Sequence, residues 1–174
     1  FTAHWLLNKD LKKQNILLLL SSYIFYAWWD WRFLSLIIVS SFIDFTAGSK
    51  IFNSKTKKQR KNWLLLSLFA NLGLLSVFKY YNFFAESFAD LANVFGYQPN
   101  DLTLNIILPV GISFYTFQTL SYTIDIYRKQ FQPTNDIISF FTYIAFFPQL
   151  VAGPIERASN LLPQIEKKRV LKKE

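Results

Sequence analysis

The feature that most limits this chain is how its charges are distributed: they come in bunches, and residues 14–29, 62–78 and 137–155 carry none at all. Apolar runs of that kind are candidates for a hydrocarbon core, which takes about 20 residues of α-helix to cross. A compact soluble domain of 174 residues has too little interior to cover so many of them. Charged residues make up only 17% of the chain, where about 25% is usual. The chain reads as an all-α, polytopic membrane protein.

The same composition removes several functions. Without Cys there is no disulfide framework, thiolate zinc site or cysteine nucleophile, and His4 as the single histidine excludes a multi-histidine metal site. His4 also lacks a Ser or Asp at any triad spacing, and the glycine-rich phosphate loops are absent. The chain begins at Phe1 and contains no Met, so a longer parent is expected. Its opening residues resemble the tail of an apolar segment and not a signal peptide.

A first span is expected over residues 15–31, ending in Tyr26, Trp28, Trp29 and Trp31, rings that favour the headgroup boundary. A second, 33–49, follows a turn so short that the two helices should be antiparallel neighbours. Residues 50–62 then hold six Lys and Arg and no acid, which marks a cytoplasmic loop. Nucleic-acid binding by the same charges is set aside. A third span, 63–81, leads outward to Lys79, Tyr80 and Tyr81. Over 82–96, Phe84, Phe88, Leu91 and Phe95 recur at helical spacing opposite Glu86, Asp90 and Asn93, predicting an amphipathic helix flat on the outer surface, ended by Gly96 and Pro99. It serves either as a connector or in admitting substrate.

The fourth span, 105–124, is polar on more than one side. Gln118, Ser121, Tyr122 and Asp125 share one face and Ser113, Thr116, Thr119 and Thr123 a second, leaving Phe117, Leu120 and Ile124 as a narrow apolar stripe. Such a helix should lie inside a bundle or line a polar cavity, with Pro109 and Gly111 disturbing its outer end. The run 137–152 is broken by Pro148; a re-entrant or interfacial segment, not a crossing, keeps the basic tail 155–174 cytoplasmic. Asp44, on the face of Ser40, Ser41 and Gly48, either lies in the bundle interior or reaches water near the basic loop. Asp125 has Arg128 and Lys129 three and four residues on, the spacing of a local ion pair.

Residues 108–128, LPVGISFYTFQTLSYTIDIYR, and 146–165, FFPQLVAGPIERASNLLPQI, together with FYAWWD at 25–30, resemble the membrane-bound O-acyltransferase family, most closely its bacterial alginate O-acetylation branch. The resemblance implies a larger helical protein around a membrane funnel. There an acyl group from a cytoplasmic thioester, acetyl-CoA or another, passes toward an exported polysaccharide with help from an exported acyltransferase partner. It also implies a catalytic histidine deep in the membrane. None follows His4 here, so that residue is expected beyond Glu174, and this stretch alone should be inactive, with no bound cofactor and no metal.

Acyl transfer needs a base and oxyanion donors shielded from bulk water. Gln118, Ser121, Tyr122 and Asp125 are candidates for one wall of such a site; Arg128, Gln149, Glu156 and Arg157 are candidates for the mouth where the donor enters. Arg157 suits a donor phosphate, or else pairs with Glu156. A transporter segment or a noncatalytic membrane scaffold are the rival readings, since both also want a packed or wet interior.

Overall fold

The computed structural model describes residues 10–95, 109–154 and 156–169. Every regular element among them is helical: α1 (Leu11–Asn53), α2 (Lys57–Val94), α3 (Ile112–Tyr127), α4 (Ile137–Ala145), α5 (Phe147–Ala152) and α6 (Ala158–Glu166). α1 and α2 are each long and apolar enough to cross a membrane.

α1 starts at an Asp10 cap, whose carboxylate accepts the Lys13 N–H at 3.2 Å and is thereby held below the ordinary carboxylate range. It is two limbs joined at Asp30, which leaves helical geometry at φ −160°, ψ 111°. The carboxylate released there binds Arg32 through its backbone N–H at 2.9 Å and its guanidinium at 2.6 Å. A straight helix would separate Asn15 from Phe45 by about 45 Å. Instead both touch one turn of α4: Asn15 donates to Ser139 Oγ at 3.1 Å, and the Phe45 ring lies 5.6 Å from Phe140. The chain therefore reverses at Asp30, as the short turn predicts.

α2 packs antiparallel on the second limb. Phe33 meets Phe78, Ser40 meets Asn71 and Asp44 meets Ser67, a constant register. The limb runs out near Asp30, but α2 continues without a break to Val94. The separate surface helix expected at 82–96 is thus a collinear extension of the span, reaching about 21 Å past the hairpin. Nothing between Lys79 and Asn82 breaks a helix, so the amphipathic pattern changes the side-chain environment and not the axis direction. Gly96 and Pro99 lie outside the described residues.

α3 begins at Ile112, after Gly111 caps it in the left-handed region at φ 76°. Residues 105–108 of the expected span lie outside the described part. The helix ends where Lys129 turns left-handed at φ 62°, with the Gln130 N–H on the Asp125 carbonyl at 2.9 Å. The run 137–152 breaks at Phe146, two residues before Pro148, into α4 and α5, and nine residues of α4 rise only about 14 Å. α6 then runs back: the Ile165 carbonyl accepts from Asn15 at 3.0 Å, and Thr134 hydrogen-bonds the Glu166 carboxylate. Residues 137–166 thus enter and leave at one end of the bundle. This is the end that holds Asn15, the 54–56 connection and Arg60, whose Nη2 donates to the Tyr127 carbonyl at 2.6 Å. Residues 158–169 pack back onto the bundle. Ala158, Leu162 and Ile165 are buried, and Arg169 donates to Asn15 Oδ1 at 2.8 Å.

Candidate functional site

Of the sixteen residues of α3, only Phe117 is exposed, at 49%. The helix is walled in by protein on both polar faces, as its sequence requires. One face meets α2 and the other meets α4.

On the α2 side the walls close on Asp44, which is fully buried. Its Oδ1 accepts from Ser67 Oγ at 2.5 Å and its Oδ2 from Asn71 Nδ2 at 2.8 Å. Asn71 Oδ1 in turn accepts from Ser40 at 2.6 Å and Thr119 at 3.3 Å, while Ser67 reaches Thr123 Oγ1 at 3.2 Å. Of the two readings of Asp44, the bundle interior is the one realised. A carboxylate so placed is tolerated because α2 supplies a donor to each of its oxygens, and Ser40 of α1 and Thr119 and Thr123 of α3 bond those donors in turn. Sequence reasoning did not nominate Ser67 and Asn71. Their signal was available: two polar residues four apart in an apolar span, opposite an intramembrane acid that needs a partner.

On the α4 side, Gln118 donates from Nε2 to the Tyr143 carbonyl at 3.0 Å, and Tyr143 donates from its hydroxyl to the Glu156 carbonyl at 3.2 Å. Gln149 donates to the Pro154 carbonyl at 3.0 Å. Two segments about thirty residues apart, around Gln118 and around Gln149 to Glu156, are tied together through Tyr143, which the sequence did not single out. The amide oxygens of Gln118 and Gln149 are both buried without a partner, an arrangement that costs about 1–3 kcal/mol per group unless a donor is brought to it.

The remaining candidates separate. Ser121 spends its proton on the Gln118 carbonyl at 2.8 Å, and Tyr122 is a core ring 4.6 Å from Phe140. Asp125 is 7% exposed and makes no ion pair with Arg128 or Lys129, which point outward past the end of α3. The local pair expected from the spacing is absent: both cations line a cleft beyond the end of α3. Glu156 accepts from Asn160 at 3.3 Å and does not pair with Arg157, an exposed residue at the start of α6. Arg128 sits apart from Arg157, in a basic cleft with Lys55, Lys57 and Arg60. At the Asp30 end, a cleft of about 780 Å³ is lined by Ile24, Phe25, Trp28, Trp29 and Leu150. Among the described residues no cluster of His, Cys, Asp or Glu could hold a metal.

No family model and no solved structure matches the chain. Curated relatives do. The probable alginate O-acetylase AlgI of Pseudomonas aeruginosa is 41% identical over 152 residues, 87% of this chain and 29% of that protein. The protein of the same name from Azotobacter vinelandii is 39% identical, covering 87% and 30%. The peptidoglycan O-acetyltransferase of Helicobacter pylori is 34% identical over 175 residues, covering 87% and 32%. The chain thus spans just under a third of the length of the curated relatives it matches. These relatives agree with the resemblance carried by the strings at 25–30, 108–128 and 146–165.

Proposed function

We propose, from the premise that this chain is homologous to O-acetylases, that it forms part of a membrane O-acetyltransferase. That enzyme would pass an acetyl group from a cytoplasmic thioester, acetyl-CoA or another, toward an exported polysaccharide, in a bacterial inner membrane and together with an exported acyltransferase partner. The chain would cross four times, through the two limbs of α1, α2 and the segment ending in α3. α4 to α6 would form a re-entrant unit. Their return to the end that carries the basic 54–56 connection supports this reading, since it keeps the basic tail cytoplasmic.

The observation that carries the proposal is the joining of Gln118 to the Glu156 backbone carbonyl through Tyr143, with the buried amide oxygens of Gln118 and of nearby Gln149 left unpaired. Such acceptors suit a donor group delivered by a substrate or by neighbouring helices. The base is assigned beyond Glu174, and residues 118–157 act by shape, by excluding water and by presenting fixed dipoles. In the full-length protein, Gln118→Ala and Asp125→Asn should lower polymer acetylation at least tenfold while membrane expression falls less than twofold. Parallel losses of the two would refute the wall assignment and leave these residues with folding roles alone. A transport role would instead show solute movement that ignores the acyl donor.

A further inference from the structure

A second polar site lies outside the Gln118 to Glu156 cluster. The connection between α1 and α2 and the end of α3 enclose a cleft of about 810 Å³. Lys55, Lys57, Arg60, Arg128 and Lys129 line it, and no carboxylate does so among the described residues. Five like charges around one cleft repel one another, which favours a bound anion. The start of α2 opens into it, with Thr56 capping the Gln59 N–H at 3.2 Å and adding the positive end of a 38-residue helix. Arg60 is fixed across it by its bond to the Tyr127 carbonyl and by its position 5.3 Å from the Tyr127 ring centroid, yet its Nε is buried with no partner. Lys129 holds the left-handed backbone that Gly or Asn takes at lower cost, so the position carries a cation at the expense of conformation.

We propose that this cleft binds the phosphate of an anionic phospholipid headgroup. A phosphate could also arrive on a soluble thioester donor, but depth favours the lipid. The connection is three residues long, 54–56, between two apolar helices. Trp63, an interfacial residue type, lies about 9 Å into α2 from Lys57. The cations therefore cannot stand off from the headgroup layer. Phe52, 52% exposed, together with Ile126 and Phe131, supplies an apolar wall beside them, which fits an amphiphile. This site is independent of the acyl-transfer proposal.

The test is lipid retention by the full-length protein, read by native mass spectrometry after exchange into phosphatidylcholine, phosphatidylglycerol or a mixture. The wild type should prefer phosphatidylglycerol by about tenfold. The triple variant Lys55→Gln, Lys57→Gln, Lys129→Gly should lose that preference, and Lys79→Gln, about 33 Å along α2 from Lys57, should keep it. Should the triple variant fail to fold, Lys129→Gly alone, which relaxes the backbone, should weaken the preference about threefold. Equal retention of the two lipids by the wild type, or a preference that survives these substitutions, overturns the proposal. So does displacement of phosphatidylglycerol by coenzyme A added in solution, which would assign the cleft to the donor.

Discussion

Removing the Asp44 carboxylate tests how this part of the bundle is held together. In Asp44→Ala, Ser67 still has Thr123 Oγ1 at 3.2 Å as an alternative, and Asn71 keeps one N–H on the Ser67 carbonyl at 2.9 Å. The other Asn71 N–H, now 2.8 Å from Oδ2, loses its acceptor inside the protein. A stranded buried donor costs about 1–3 kcal/mol, and hydrogen bonds to a charged group contribute about 1.5–3 kcal/mol each. Part of this is recovered because the carboxylate no longer has to be desolvated, so the net loss should be about 2 kcal/mol. Asp44→Asn keeps a carbonyl for Asn71 and lets the Ser67 hydroxyl turn to Thr123, so it should lose about 1 kcal/mol or less. Interhelical hydrogen bonds in membranes average only about 0.6 kcal/mol. The Asp44 hub is set apart from that average only if the cycle of Asp44→Ala with Asn71→Ala shows coupling above about 1 kcal/mol. Denaturant titration of the purified full-length protein measures all four corners. Single variants within about 0.5 kcal/mol of wild type, or coupling near zero, would refute the assignment of this hub as a structural tie.

Three further predictions rest on backbone positions. A Cβ at Gly48 would lie 2.6 Å from Tyr122 Cε1 and 3.0 Å from Ile126 Cδ1; Gly48→Ala should therefore cost about 1–3 kcal/mol in the same titration. Gly73→Ala, which meets nothing within 4 Å, should gain up to about 1 kcal/mol. Lys129→Gly relieves a left-handed residue and should stabilise by about 1 kcal/mol even as it removes a cation from the cleft.

Much of this could be read in advance because helical periodicity is local. The crowding of polar residues on two faces of 112–127 required neighbours on both sides, and α2 and α4 are there. The uncharged runs and the short turn from Asp30 to Arg32 indicated the hairpin. Where the reading failed, the cause was also local. The periodicity of 82–94 reports which face is apolar but says nothing about whether the axis bends, and no breaker interrupts the chain between the span and its extension. Likewise, spacing puts Arg128 within reach of Asp125, but Arg128 lines the cleft with Lys55, Lys57 and Arg60 instead.

The sequence by itself determined that this chain is helical, that it belongs in a membrane, and that α3 must be enclosed, because each of these depends on composition and on a 3.6-residue repeat. Only the tertiary structure decided which helices enclose it. Ser67 and Asn71 meet Asp44, Tyr143 joins Gln118 to Glu156, and Lys55 and Lys57 come to lie beside Lys129, because helix packing fixes which distant residues share a register, and no local pattern encodes that choice.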